Sequence, residues 1–185
     1  RDGVTSDEFR RAVRDQDIPA QIEALNRVEV KPGDVYLVPG GTPHALGPGV
    51  FMIEIQEPTD LVVNTEYEFC GIRRTEAQCF MGLGMDLALR CFDPRAAGRE
   101  YVSSRRLAPR VVRDDPAGRE DLLIGPENTP CFGMSRLSVR TRIPDRDRRR
   151  CHVGIVVEGQ GRLTGPDGAL RVRTGSTFFV PAASE

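Results

Sequence analysis

The chain has 185 residues, of which 39% are hydrophobic and 29% are charged, and its formal net charge is −1. This length allows one sizeable domain or two small ones with a real hydrophobic core. The balanced charge gives no reason to expect nucleic acid or an anionic membrane as a partner, and no apolar run approaches the roughly 20 residues of a membrane span. The chain starts at Arg1 and stops directly after a strand-like run, so we expect a piece of a longer protein.

The cysteine pattern indicates the compartment. Five cysteines are widely spaced and form no Cys-x-x-Cys pair: Cys70, Cys79, Cys91, Cys131 and Cys151. An odd number at this spacing favours free thiols over a disulfide framework or a cysteine-ligated zinc. We therefore expect a cytoplasmic protein.

Residues 5–26 are predicted to be helical. Thr5 and Glu8 have the spacing of a capping box, and apolar residues follow at helical spacing from Phe9. Pro19 fits the first turn of a second helix. The sequence therefore predicts two short helices before any strand.

From Val28 to Phe69 the pattern changes to short apolar runs separated by Gly and Pro turns, which is typical of a β-sandwich or barrel. A short connector helix is expected within 81–92. The stretch 94–119 is rich in Arg, Pro and Gly and has little periodicity, so we place a domain boundary there. A second series of strands is predicted at 122–124, 132–139, 152–158, 161–163, 170–172 and 177–180, with a hairpin turn at 165–168.

A weak internal repeat supports two similar units. Residues 30–39 and 172–181 each contain a turn glycine, a five-residue strand and a proline. The first copy continues to Gly41 and His44, and the second ends soon after its proline.

The spacing Gly33-x5-Pro39-x-Gly41-x2-His44 is the most informative motif for chemistry. A strand would follow the glycine turn, Pro39 would bend it, and His44 would face inward at the start of the next strand. An imidazole held on stiff β-structure suits a metal ion. The alternative is a histidine hydrogen-bonded in a loop, and one histidine alone is not a metal site.

This motif resembles the second conserved motif of the cupin superfamily. The wider runs 35–47 and 54–60 closely resemble type I mannose-6-phosphate isomerases, and residues 26–34 and 80–84 also look like bacterial members. The resemblance is specific from about residue 20 to 93 and looser afterwards. It implies a mainly β, tandem cupin fold with both jelly-roll barrels incomplete. Residues 1–95 would be the C-terminal part of the first cupin, including the helical segment 5–26, and 96–185 a linker and a truncated second cupin.

The resemblance also implies roles for particular residues. His44 would be a ligand of one Zn²⁺ per full-length chain, whose other ligands lie upstream of this segment. Glu54 would line the active site, where a carboxylate orients a sugar hydroxyl or transfers a proton. Gln56 and Asp60 would support substrate binding. Asn64, with Glu54 a candidate catalytic residue, occupies the position where many members carry an arginine, so either another arginine serves or the activity is weak or altered.

The implied function is metal-dependent aldose–ketose isomerisation of a phosphorylated hexose, mannose 6-phosphate to fructose 6-phosphate, through a cis-enediol. Zinc would polarise the oxygens at C1 and C2 as a Lewis acid. A different sugar phosphate stays open, and Asn64 modestly favours an alternative, a sugar-binding or regulatory cupin that has lost catalysis. His152, the other histidine, is expected to be structural. We expect the segment alone to be inactive and predict no oligomeric state.

Overall fold

The computed structural model describes residues 1–59, 61–95, 98–144, 149–166 and 168–182. The chain divides into two compact units, Arg1–Ser138 and Val139–Glu185. The boundary predicted at 95/96 separates the two expected cupin domains, which differ from these compact units, and it stays a prediction. Within the described parts of the chain, no helix is both long and apolar enough to cross a membrane.

The first unit mixes helices with short antiparallel strands. In chain order its elements are α1 (Ser6–Arg14), α2 (Ile18–Ala24), β1 (Val35–Tyr36), β2 (Glu68–Phe69), β3 (Ile72–Arg73), α3 (Glu76–Cys79), α4 (Met85–Ala88), a 3-10 turn (Leu89–Cys91), α5 (Gly98–Arg105), β4 (Arg106–Leu107), β5 (Arg110–Asp115), β6 (Gly118–Ile124) and β7 (Met134–Val139). The last residue of β7 begins the second unit. That unit holds β8 (His152–Ile155), β9 (Gln160–Gly165), β10 (Gly168–Arg173) and β11 (Thr177–Val180).

The two helices predicted in residues 5–26 are present, and the capping box is confirmed. The Thr5 hydroxyl accepts from the Glu8 backbone N–H at 3.2 Å, and the Glu8 carboxylate accepts from the Thr5 N–H at 2.7 Å. These two bonds satisfy donors that a helix N-terminus leaves open. Asp17 caps α2 in the same way, through the N–H of Ala20, with Pro19 in the first turn.

The hydrophobic core of the first unit lies between α1 and the helices α3 and α4. Its buried side chains are Phe9, Val13, Cys79, Phe80, Ala88 and Leu89. At the edge of this core, the rings of Phe9 and Phe92 meet edge to face at 5.4 Å. The helical spacing of Phe9 and Val13 places both on one face of α1, and that face is what holds the connector helices in place.

The stretch 94–119, which has little periodicity in the sequence, contains α5, β4 and β5. The partner of β4 is distant in sequence, whereas β5 pairs with the next strand along the chain. In β4, Leu107 pairs with Val35 of β1, and β5 pairs with β6 in a three-stranded sheet with β7. Local periodicity does not register the long-range pairing of β4 with β1, which overrides weak propensity.

The strands expected between residues 28 and 69 form only in part, as β1 and β2. The described residues within 37–67 contain no strand. An extended segment becomes a strand only when a neighbour accepts and donates its backbone hydrogen bonds, and the described residues provide no such neighbour here. The short apolar runs of this stretch therefore do not pair into a sheet.

The second unit confirms the hairpin predicted at 165–168. Strands β9 and β10 pair antiparallel with Gly165 opposite Gly168, and Asp167 between them lies outside the described residues. In the other ribbon, β8 pairs with β11, and the Phe178 ring lies directly over Gly154, which leaves no room for a side chain at that position. Small antiparallel sheets thus dominate the strands, as expected. The described residues show no closed barrel.

A buried carboxylate ties β6 to β7. Asp121 is 2% exposed, and its two oxygens accept from Arg136 at 2.8 Å and from Arg119 at 2.9 Å. The Arg136 hydrogen bond, more than that from Arg119, holds the pKa of this carboxyl below its usual value of 3.8. A terminal nitrogen of Arg136 also lies 3.3 Å from the space that a side chain at Gly33 would take. The network therefore stands beside the turn that leads into β1.

Replacing Asp121 with asparagine should lower the melting temperature at neutral pH by about 5 °C or more, because two guanidinium groups lose their shared counter-charge. Since folding lowers the pKa of this carboxyl, its stabilisation is fully present above the unfolded value of 3.8 and is lost as the pH falls through the folded value. Thermal scans from pH 7 to pH 2 should show the two melting curves converging at the acid end. Glu120→Gln, on the same strand, is the control, and an equal loss in both variants would contradict the assignment.

Candidate functional site

His44 lies in an irregular segment that follows β1, with its side chain exposed to solvent. The sequence predicts it inward-facing at the start of a strand, and this expectation is wrong for the described chain. The reason is that the described residues within 37–67 do not pair as strands, so no sheet orients the side chain of His44. The alternative placement, a histidine hydrogen-bonded within a loop, matches its environment.

The loop 39–44 is fixed by backbone contacts with the segment 91–93. The Gly41 carbonyl accepts from the N–H of Asp93 at 2.9 Å. Gly41 has φ +79°, and a Cβ there would come within 2.5 Å of the Cys91 carbonyl oxygen. Both the positive φ and the close approach require glycine. This gives the second glycine of the motif a physical reason.

Thr42 uses three of its polar groups in the same loop. Its N–H donates to the Pro39 carbonyl at 3.3 Å, and its hydroxyl shares a hydrogen bond of 2.8 Å with the Tyr101 hydroxyl of α5. Its carbonyl lies 2.9 Å from Nδ1 of His44. Thr42 therefore connects the histidine to a helix 59 residues further along the chain.

The tautomer of His44 follows from that last contact. A carbonyl oxygen only accepts hydrogen bonds, so Nδ1 must carry the hydrogen. In a neutral imidazole this leaves Nε2 with a free lone pair. A metal-ligating histidine usually has this arrangement, with its other ring nitrogen bonded to a backbone carbonyl or carboxylate.

The residues predicted after His44 are more open. Glu54 is exposed, and Gln56 folds back so that its amide donates to the Thr59 carbonyl at 3.0 Å. The role of Gln56 in substrate binding stays a prediction. Asp60 lies outside the described residues.

Asn64 is held more firmly than the other candidates. Its backbone N–H donates to the Cys79 carbonyl at 3.0 Å, which places it half-buried beside the core of the first unit. In the described parts of the chain, no hydrogen bond or ion pair joins any two of His44, Glu54, Gln56 and Asn64. The structure thus places these residues on one segment without assembling them into one site.

The electrostatics around the loop come from its neighbours. Two hydrogen bonds of 3.0 Å from the Arg95 side chain hold the pKa of the Asp93 carboxyl below its usual range. Burial raises the pKa of the Cys91 thiol, as it does for Cys79 in the core. A raised pKa keeps a thiol protonated, which makes a poor nucleophile and a poor metal ligand. Neither cysteine therefore adds chemistry to the site.

Comparison with known proteins decides the family. A protein of Bacillus subtilis (strain 168) named "Probable mannose-6-phosphate isomerase GmuF" is 36% identical over 182 residues, which is 96% of this chain and 51% of that protein. "Mannose-6-phosphate isomerase ManA" of the same organism is 43% identical over 56 residues, 30% of this chain and 16% of its own. The chain belongs to the mannose-6-phosphate isomerase family. It spans about half the length of the first of these relatives and less of the second. No family model matches it, and no solved structure matches it significantly.

Membership of the mannose-6-phosphate isomerase family raises the question of zinc. His44 could supply one ligand nitrogen, its Nε2. The described residues contain no group of three or more His, Cys, Asp or Glu side chains that could hold a metal ion. Catalytic zinc usually has three protein ligands. These residues therefore do not make a zinc site by themselves.

An open cavity of about 740 Å³ in the first unit is lined partly by arginines, among them Arg27, Arg99 and Arg106. Asp34 accepts from Arg106 at 2.6 Å, and Asp2 lies 3.9 Å from Arg99. These carboxylates offset the positive charge of the arginines, which binding of a phosphate group would need. The cavity is therefore not assigned as a phosphate site.

Sequence reasoning missed Thr42 and Tyr101. Thr42 stands inside the motif, but a threonine at a turn carries no distinctive signal. Tyr101 lies in the stretch 94–119, where the sequence has little periodicity. Only the folded chain brings it to the His44 loop.

Proposed function

We propose that the protein that carries this chain interconverts mannose 6-phosphate and fructose 6-phosphate. The observation that carries this proposal is the 36% identity to a relative of that name along 96% of the chain. The region of the His44 motif supports it, since it keeps the glycine that the turn requires at position 41 and an exposed imidazole whose Nδ1 contacts a backbone carbonyl.

The reaction moves one hydrogen between neighbouring carbons and consumes no oxidant. A base takes the proton from C2 of the aldose while the C1 oxygen gains one, which gives a cis-enediol. A proton then returns to C1, and the C2 hydroxyl loses its proton to become the ketone. In this proposal the exposed carboxylate of Glu54 exchanges the proton, with Gln56 and Asp60 binding sugar hydroxyls.

Asn64 provides a neutral amide where many family members carry an arginine. An amide can donate a hydrogen bond to a sugar oxygen, but it contributes no positive charge. Its half-buried position beside the core holds it in one place. In the proposal it orients the substrate, and another cation binds the phosphate.

The proposed enzyme is metal-dependent, with one Zn²⁺ in the whole protein. His44 supplies one ligand, and the others come from the half of the family's length that this chain does not span. The same missing half would complete the first of two cupin barrels and cover the apolar side chains exposed along 46–62. Among them, Leu46 is 60%, Phe51 91% and Leu61 76% exposed, which is unusual for a contiguous stretch left in water.

The compartment and ligand follow from the same proposal. All five cysteines are free thiols, which suits the reducing cytoplasm. The substrate is a phosphorylated hexose rather than a polymer or a lipid surface.

The test compares the whole protein with the 185-residue chain. The whole protein should convert mannose 6-phosphate to fructose 6-phosphate, lose the activity with a chelator and regain it with Zn²⁺. The chain alone should bind zinc weakly, because one imidazole falls short of a ligand set, and should show no measurable turnover. The measurements are a coupled assay for fructose 6-phosphate and metal analysis after dialysis.

Two other results would overturn parts of the proposal. Sugar phosphate binding by the whole protein without turnover would favour the alternative, a sugar-binding cupin that has lost catalysis, which Asn64 modestly supports. Stoichiometric zinc and turnover from the 185-residue chain would show that its ligands are misassigned, with His152 the first residue to reconsider.

A further inference from the structure

Tyr101 reaches the His44 loop from α5, an element far away in sequence. Its hydroxyl lies 2.8 Å from the Thr42 hydroxyl. The Tyr101 side chain is itself held: it is partly buried, and the Arg105 guanidinium stacks over its ring at 5.0 Å. A hydroxyl on a constrained ring is a fixed anchor rather than a mobile surface group.

The helix that carries Tyr101 is attached to the strand that leads into the loop. The Leu37 N–H donates to the Arg105 carbonyl at 3.0 Å, and β4 continues from α5 to pair with β1. The strand before the loop and the anchor above it therefore belong to one hydrogen-bonded body. Within the turn 39–44 itself, the restraints are the Gly41 bond to Asp93 and the two bonds of Thr42.

Thr42 transmits this anchorage to the imidazole. The N–H bond to Pro39 and the hydroxyl bond to Tyr101 restrain the backbone of Thr42 on both sides of its Cα. Its carbonyl then faces Nδ1 of His44 at 2.9 Å. Without the Tyr101 contact, one of the two restraints on this carbonyl would be gone.

We infer that Tyr101 is a positioning residue that acts through Thr42 to hold His44 as the Nδ1–H tautomer, with Nε2 free to bind a ligand. Only the link between this tautomer and isomerase activity rests on the proposed function. The tautomer itself is a property of this chain's own residues and is measurable without any metal.

The experiment measures the imidazole nitrogens by long-range ¹H–¹⁵N NMR on the metal-free 185-residue chain. Only two histidines are present, so a His152→Gln variant assigns both. In the wild type, His44 should be mainly the Nδ1–H form. In Tyr101→Phe the ratio of the two tautomers should shift about fivefold toward Nε2–H, the equivalent of one hydrogen bond of about 1 kcal/mol. Thr42→Val, which removes the same bond from the other side, should give the same shift.

Matched variants separate positioning from general loosening of the fold. Tyr36→Phe removes a hydroxyl of the same kind elsewhere and should leave the His44 tautomer unchanged. Thr42→Ser keeps the hydroxyl and should keep the wild-type ratio. In the double variant Tyr101→Phe/Thr42→Val the shift should not exceed that of either single variant, because both remove one interaction.

Three outcomes would overturn the inference. The tautomer ratio of Tyr101→Phe could equal that of the wild type, the Tyr36→Phe control could shift it equally, or wild-type His44 could be mainly Nε2–H. Each result is independent of isomerase activity. A failure of the proposed function, with an inactive whole protein, would leave the tautomer result standing.

Discussion

Replacing His44 with alanine should lower the zinc bound by the whole protein by at least about tenfold, and isomerase turnover should fall with it. The physical reason is that the His44 side chain is exposed and its Nδ1 contacts the Thr42 carbonyl, which leaves the lone pair of Nε2 free for a metal. Since the described residues offer no cluster of alternative ligands nearby, no neighbour is in place to take over. Metal analysis after dialysis against a weak chelator measures the first effect, and the coupled assay measures the second.

His152→Ala is the matched control, because it removes the only other imidazole from a strand of the second unit. Its zinc content and turnover should stay within about twofold of the wild type, as expected for a substitution away from a ligand set. Zinc content that is unchanged in His44→Ala would refute the ligand assignment. A fall in turnover alone, with zinc retained, would instead give His44 a role in binding substrate.

The parts of this fold that the sequence predicts are those with local causes. The capping box of Thr5 and Glu8, the proline in the first turn of α2 and the hairpin at 165–168 each depend on residues within four positions of one another. Short-range geometry and hydrogen bonding are sufficient for such features. They are present as predicted.

The misplaced parts depend on partners distant in the chain. The helix α5 is weakly amphipathic, and what holds it is contacts with residues such as Thr42 and Leu37. Conversely, residues 51–55 form an apolar run typical of a strand but lack a neighbouring strand in the described chain. A pattern of side chains states which face is apolar, and it does not state whether a partner strand is available.

The candidate site divides in the same way. The motif around His44 is visible in the sequence because its glycines and proline have direct backbone consequences, as the φ of Gly41 shows. The groups that orient the imidazole come from Thr42 and, across 59 residues, from Tyr101. Sequence spacing finds the residue that carries the chemistry, and the fold supplies the residues that orient it.

Replacing Gly41 with alanine should lower the free energy of unfolding by about 2–5 kcal/mol. A positive φ costs an L-residue about 1–2 kcal/mol, and forcing a methyl group into occupied space adds about 1–3 kcal/mol. Here that space is taken by the Cys91 carbonyl oxygen, 2.5 Å from the position of the new Cβ. Urea unfolding of the 185-residue chain measures the loss.

Gly40→Ala provides a control one residue away. Gly40 has no positive φ, and a Cβ there meets nothing within 4 Å, so this variant should stay within about 0.5 kcal/mol of the wild type. Because the Gly41 carbonyl also accepts from Asp93, Gly41→Ala should displace Thr42 and weaken zinc binding by the whole protein, whereas Gly40→Ala should not. Equal stability of the two variants would mean that the loop does not pack against the backbone at Cys91 and Asp93, and the geometry from which the His44 tautomer is derived would fall with it.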